Sequence, residues 1–293
     1  DAIAYYQRAL EVKPDDATTH VNLAHALLQN GDFERGWEEY EWRWRRKLKP
    51  RTFLQPSWDG TDLAGRTILL YAEQGLGDTL QFIRYTVLVK QRGGTVIVEC
   101  HPSLVRLIKT AAGVDQVVAA GSPLPPFDTH LPLLSLPRLL RITRKNITGT
   151  VPYLQAPDNI GEGIKTALES AGDRIRVGIA WSGNPVFRQN YRRLCPLSFF
   201  KMFGERLDVA LFSLQKGGAD IADQIREADF PIQNLSSLLD DFSDTAAVMS
   251  RLDMIVTVDT SVAHLAGALA RPVWILLQYA PDWRWQIDRE RCL

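Results

Sequence analysis

Cysteine is scarce. Cys100, Cys195 and Cys292 are odd in number and far apart, so they form neither a disulfide framework nor a metal-ligand spacing, and they imply a reducing compartment. An excess of charge of one sign is also lacking. The 34 basic residues balance 34 acidic ones, which removes a global pull toward nucleic acid or an anionic membrane. Local basic clusters can still take a phosphate. No apolar run approaches the roughly 18 residues needed to cross a bilayer, and no signal peptide opens the chain. The expected location is cytoplasmic, with a peripheral place at the inner membrane left open. The Walker phosphate loop, the Gly-x-Ser-x-Gly elbow and the His-Glu-x-x-His zinc helix are absent. So is an Asp-x-Asp pair suited to metal-dependent sugar transfer. Asp240-Asp241 precedes a helical stretch and reads as a cap.

The hydrophobic content of 45% is ordinary for a globular chain, and 293 residues allow two medium domains and an extra element. Residues 1–45 are helical in pattern and carry a repeat register. Ala2, Tyr6, Ala9 and Pro14 fit the second half of a tetratricopeptide unit of about 34 residues, and Leu23, Ala24, Leu27, Gly36 and Tyr40 fit the next unit in phase. Small residues stand where paired helices touch, and large ones fill the gaps. At least about three such units are needed to stack stably, so these helices are expected to continue a solenoid or to pack on the following domain. An ordinary amphipathic hairpin is the alternative. Residues 46–65 follow as a linker. The basic run of Arg43, Arg45, Arg46, Lys47 and Lys49 at this boundary reads as solvated.

From Arg66 strands and helices alternate. RTILLYAE reads as a strand, Asp78–Gln91 as a helix, then TVIVEC, helix SLVRLIKTAA, DQVVAA and the short strand DTHLPL. Residues 157–172 read as a hinge with a short helix. A second series then runs through RVGIAW, LSFFKMFG, DVALFSLQ, ADIADQIREAD, the Ser243–Arg251 helix and LDMIVTVDTSVAHLAGALARPVWILL. Such alternation predicts two parallel sheets with crossover helices, here over residues 66–156 and 173–293. Ligands of that architecture bind beyond the strand C-termini, between the domains.

Four strand-end turns and one aromatic segment carry candidate chemistry. Gln74-Gly75-Leu76-Gly77-Asp78 follows the first strand; Leu80 stands where a dinucleotide fingerprint needs its third glycine, and only Glu99 could serve as the acidic partner, which disfavours a nicotinamide cofactor. Asp78 is either the helix cap or a general base. Trp181-Ser182-Gly183-Asn184-Pro185, with Arg188, Arg192 and Arg193, suits a pyrophosphate or is a basic surface loop. Gln215 and Lys216, after DVALFSLQ, are placed toward the same cleft. Asp259-Thr260-Ser261, with His264 on the same helix face as Thr260, offers backbone N–H groups, hydroxyls and an imidazole; capping is the plainer role of the hydroxyls. Asp282-Trp283-Arg284-Trp285 could stack a sugar or base, or pack as core.

The segments GLGDTLQ, GIAWSGNP, LFSLQKG, DTSVAHLAGAL and PDWRW resemble the heptosyltransferase-type glycosyltransferases of family nine, and with the helical start the chain is similar to bacterial proteins in which tetratricopeptide repeats precede such a transferase. The resemblance covers nearly the whole chain. It implies an α/β GT-B fold, two Rossmann-like domains facing a cleft, and inverting sugar transfer from a nucleotide-activated donor with no metal or other cofactor. It implies Asp78 as the general base. It places Asn184, Arg188, Arg193, Gln215, Lys216, Asp259, Thr260, Ser261 and His264 on the donor side, and Gly77, Gln81 and Trp283 on the acceptor side. The implied partners are a nucleotide-sugar and a protein or glycan acceptor docked by the repeats, without nucleic acid. Tyr191 departs from the pattern, since an acidic residue is expected there. The chain stops at Leu293, so the second domain is expected to be truncated. A repeat-based binding scaffold with an inactive body, and a nucleotide-sugar epimerase, are the competing readings.

Overall fold

A computed structural model describes residues 2–46, 49–147, 150–183, 190–217 and 219–286. The chain opens with α1 (Ala2–Val12), α2 (Ala17–Gln29), α3 (Phe33–Tyr40) and the single turn α4 (Arg43–Arg46). Asp16 and Asp32 cap α2 and α3 by accepting the N–H groups of Thr19 and Arg35. The apolar stripe Leu23, Ala24, Leu27 and Leu28 of α2 buries against α3. Gly36 makes this approach possible, because a Cβ there would lie 2.7 Å from Leu28 Cγ.

The first sheet contains β1 (Thr67–Tyr71), β2 (Thr95–Cys100), β3 (Gln116–Ala119) and β4 (Thr129–Pro132), all parallel in the order β3-β2-β1-β4. Between them run α5 (Leu76–Phe82), α6 (Thr86–Lys90) and α7 (Val105–Ile108), and α8 (Leu136–Leu139) follows. After α9 (Glu162–Glu169) comes the second sheet, β5 (Ile175–Ala180), β6 (Val209–Ser213), β7 (Gln233–Asn234), β8 (Met254–Val258) and β9 (Val273–Leu276), parallel in the order β7-β6-β5-β8-β9. Its helices are α10 (Lys201–Gly204), α11 (Ala219–Glu227), α12 (Phe242–Met249) and α13 (Ser261–Ala268). Two parallel sheets are what the alternation predicts. Strands such as TILLY and VALFS are mostly apolar and buried because both faces of their sheets are covered. No helix among the described residues is long and apolar enough to cross a membrane.

Several local expectations are corrected. The helix expected over Asp78–Gln91 starts earlier, at Leu76, and is split by a 3-10 turn, Ile83–Tyr85. The Thr86 hydroxyl donates to the carbonyls of Ile83 (2.7 Å) and Ala112 (2.8 Å), and glycine at 113 lets the two segments approach. The two-residue β7 has no hydrophobic alternation to announce it. The linker is not merely solvated. Trp58 and Leu63 are buried, Trp58 N–H donates to His130 O (2.8 Å), and Phe53 covers the sheet face of Leu69, Ile97 and Val118. Arg51 is paired with Glu99.

The helical start and the two sheets share one continuous core. Phe33, Trp37 and Tyr40 belong to it together with Phe82 of α5, Leu265 of α13 and Trp283. Trp37 lies edge-on to Trp283, centroids 5.2 Å apart, and to Phe82 at 6.0 Å, while its indole N–H donates to Ile142 O (2.9 Å). Replacing Gly36 by Ala tests the tightest helix contact of this region. Helix propensity favours the change by about 1 kcal/mol, whereas overpacking costs about 1–3 kcal/mol. Leu28 is fully buried and cannot withdraw, so a net loss of roughly 1 kcal/mol is expected, measured as a lower urea midpoint.

Candidate active site

The site is built where α5 meets α13. Gly75 is the N-cap of α5, so Asp78 stands in its first turn and is not the cap itself. Asp78 Oδ2 accepts the Gly75 N–H at 2.9 Å, a reach-back that fixes the turn. Gly77 faces α13, and a Cβ there would lie 2.6 Å from His264 Cδ2 and 3.5 Å from Ser261 Cα. Only glycine lets the Asp78 turn of the first domain lie this close to the polar turn of the second.

Asp78 Oδ1 accepts from Arg284 Nη2 at 2.6 Å. The other guanidinium positions are also used. Nε donates to Gln81 Oε1 (2.9 Å) and Nη1 to Asp282 Oδ1 (2.8 Å), and the plane lies over the Trp283 ring at 4.5 Å. Burial opposes the Arg284 charge, but Asp282 and Asp78 outweigh it and raise its pKa. Burial likewise opposes the Asp282 carboxylate, and Arg284 overcomes that to lower its pKa. Arg284 is the organising cation of the site. The sequence marked its segment but named only Trp283 as a site residue. Trp283 is 5% exposed and packed between Phe33, Trp37 and Arg284. Its tryptophan-rich context reports core, as the plainer reading held.

At the end of β8, Asp259 is buried, and desolvation raises its pKa against the influence of Arg193. Arg193 Nε is 3.5 Å from Asp259 Oδ2, and Nη1 donates to Asp259 O at 3.4 Å. The Asp259 side chain and carbonyl together orient the Arg193 guanidinium. Thr260 caps α13 by accepting the Val262 N–H (3.3 Å), and Ser261 opens that helix. His264 stacks on Trp285, centroids 5.0 Å apart and planes 22° from parallel. Burial pushes the His264 imidazole down to about 3, so it is neutral and not a cation near pH 7.

Two donor-side expectations are redirected. Gln215 Oε1 accepts the N–H groups of Trp181 (3.2 Å) and Ser182 (3.0 Å), so its carbonyl ties the end of β5 to that of β6. Lys216 Nζ donates to the carbonyls of Ser236 (3.1 Å) and Leu239, which draws it to the 236–239 turn. Ammonium groups seek carbonyls left unpaired by turns, a preference the sequence does not display. Asn184 and Arg188 lie outside the described residues. Gln81 does join the Asp78 cluster through Arg284.

Behind the Asp78 turn lies a buried group that sequence reasoning missed. Arg43 is 4% exposed, and its Nη1 donates to Glu41 Oε1 (2.7 Å) while Nη2 donates to Glu73 Oε1 (3.1 Å) and Ser135 Oγ (2.7 Å). It is therefore not part of a solvated basic run. Glu73 directly follows the first strand region and has one carboxyl oxygen without a partner. Burial pushes the carboxyl up to about 7 despite Arg43.

With this geometry in view, residues 199–285 match the profile of glycosyltransferase family 9 (heptosyltransferase), and residues 1–31 that of the TPR repeat. The chain is thus similar to a tetratricopeptide repeat at its start and to family 9 over residues 199–285. It is 24% identical over 290 residues to Protein FlbA of Caulobacter vibrioides, a match covering 90% of this chain and 48% of that protein. The chain thus spans about half the length of this curated relative. A glycosyl transferase family 9 structure from Veillonella parvula superposes with a TM-score of 0.55 at 12% identity, over 75% of this chain and 82% of the other. The E. coli ADP-heptose lps heptosyltransferase II gives 0.51 at 14% identity, over 74% and 86%. These two likenesses concern the fold: the paired parallel sheets form a GT-B-like arrangement.

Glu73 and His264 give pH signatures of opposite sign. The folded state keeps the Glu73 proton between about pH 4.5 and 7, where the unfolded chain has lost it, so this group makes stability fall as pH rises through that window. The unfolded chain takes up a proton at His264 between about pH 6.5 and 3 that the folded state refuses, so this group makes stability fall as pH drops. Glu73→Gln is expected to reduce the first slope and keep the second, and His264→Gln to do the reverse. Urea midpoints from about pH 4 to 8 read both; an unchanged profile in Glu73→Gln would mean that Arg43 holds the carboxylate ionised.

Proposed function

We propose that this chain is a glycosyltransferase that moves a sugar from a nucleotide-activated donor to an acceptor hydroxyl, with inversion and without a required metal. The observation that carries this reading is the Gly77 contact, which sets the Asp78 carboxylate beside the N-terminal turn of α13. Each Asp78 oxygen holds one donor, from Gly75 or Arg284, and a carboxylate oxygen can accept more than one. An acceptor hydroxyl can therefore donate to Asp78 and lose its proton there as its oxygen attacks the anomeric carbon. On the other side, the start of α13 directs backbone N–H groups and the positive helix end toward the leaving diphosphate. Arg193, held by Asp259, adds a cation. Charge that develops on the diphosphate is stabilised by groups already in place. Direct displacement of this kind inverts the anomeric centre.

The donor class follows the heptosyltransferase likeness, so an ADP-sugar is the first choice. The acceptor is a hydroxyl-bearing molecule approached from the side of the repeat. A scaffold with an inactive body would bind a partner without turning over a donor.

The test is a thermal-shift panel of ADP-, GDP-, UDP- and dTDP-sugars, with and without Mg²⁺, followed by turnover. One nucleotide is expected to raise Tm in either condition. Asp78→Asn is expected to keep that shift and to lower turnover by about 10²–10⁴-fold, the usual loss of a general base. Full turnover in Asp78→Asn removes the base assignment, and the absence of any nucleotide shift favours the scaffold.

A further inference from the structure

The tetratricopeptide helices hold the residues that flank Asp78 on both sides of the reaction centre. Gln74, which opens the glycine turn, donates from Nε2 to the Tyr40 hydroxyl at 2.9 Å. Glu73, the residue before it, is held by Arg43 at 3.1 Å. Tyr40 ends α3 and Arg43 begins α4, so one bend of the repeat grips two consecutive residues of the turn. Tyr40 is itself fixed, buried at 4% exposure with Arg43 over its ring at 4.9 Å and Trp37 edge-on at 6.2 Å. The partner of Asp78 is held by the same helices. Gln29 of α2 donates to Pro281 O at 3.1 Å, and Phe33 and Trp37 of α3 pack against Trp283, beside Arg284.

We infer that Tyr40 is a positioning residue for the transfer reaction: by holding Gln74 it sets the glycine turn that aims Asp78, and the repeat is thereby a structural part of the reaction centre. This rests on the reading of Asp78 as the base. The physical reason is that the glycines at 75 and 77 give the backbone on either side of Leu76 more freedom than other residues would. The aim of the turn is set by what its ends are tied to. A displacement of about 1 Å at a reacting group costs up to roughly 10²-fold in rate, so an anchor need not touch substrate to govern turnover.

The experiment compares the wild-type chain with Tyr40→Phe, Gln74→Ala and the double variant, with the exposed Tyr5→Phe as control. Phe keeps the packed ring and removes only the hydroxyl. Amide hydrogen exchange over residues 74–82 is measured in each, together with release of ADP from ADP-heptose with water as acceptor. Faster exchange in that segment is expected in Tyr40→Phe, with kcat lowered roughly five- to tenfold, the worth of one hydrogen bond, and KM unchanged. The double variant is expected to lose no more than either single one, because both remove the same bond. Exchange at the wild-type rate, losses that add in the double variant, or an effect on KM alone overturns the inference. If the wild-type chain releases no nucleoside diphosphate from any sugar of the panel, the transferase reading fails, and with it the role in turnover, while the exchange data still judge the anchoring of the turn.

Discussion

One guanidinium organises the centre of this molecule. Arg284 reaches across 206 positions of sequence to Asp78 and is bonded at the same time to Gln81 and Asp282. Burying such a cation is costly unless its donors are satisfied and its charge is matched. Two carboxylates and an amide oxygen meet that requirement, and in doing so they bring together the first helix of one sheet domain and the segment that follows the last strand of the other. The Trp283 ring beneath the guanidinium continues the arrangement into the helical start of the chain. Most of what positions the site can be traced outward from this group.

The polar network is effective because apolar packing surrounds it. Trp37, Phe82 and Trp283 form an edge-to-face cluster between the repeat, the first domain and the chain's last described turn. Aromatic rings give large contact area with few rotatable bonds and preferred mutual angles. The Asp78–Arg284 pair sits on a surface with little freedom to rearrange. Asp259 with Arg193, and Gln215 with the two amides after β5, show the same pattern on the donor side, where a buried polar group aims a neighbour.

Local physics explains which features were readable in the sequence. Apolar strands separated by helical stretches announced two parallel sheets, since period and length alone distinguish them. The repeat register foretold the α2–α3 contact because Gly36 and Leu28 lie close in sequence. Gly77-Asp78 was legible as a turn opening a helix. The partners of Asp78, Lys216 and Arg43 were not legible, because each is reached through the tertiary fold. A charge run predicts solvation by default, and Arg43 departs from that only because Glu41, Glu73 and Ser135 converge on it from three elements. Trp283 was ambiguous for the same reason: a tryptophan beside an arginine reads equally as a stacking platform and as core until Trp37 is placed against it. Thr86, whose hydroxyl ends one helical segment and starts the next, shows a side chain overriding helical periodicity.

The shared core also bears on how the chain is made. On the ribosome the repeat emerges first, at ~5–20 residues per second. Phe33 and Trp37 then wait roughly tens of seconds for Trp283, the residue that covers them. For that interval the helices present an uncovered aromatic face, and closing it requires a contact spanning nearly the whole sequence, which is slow to form. In the finished molecule the same face is sealed.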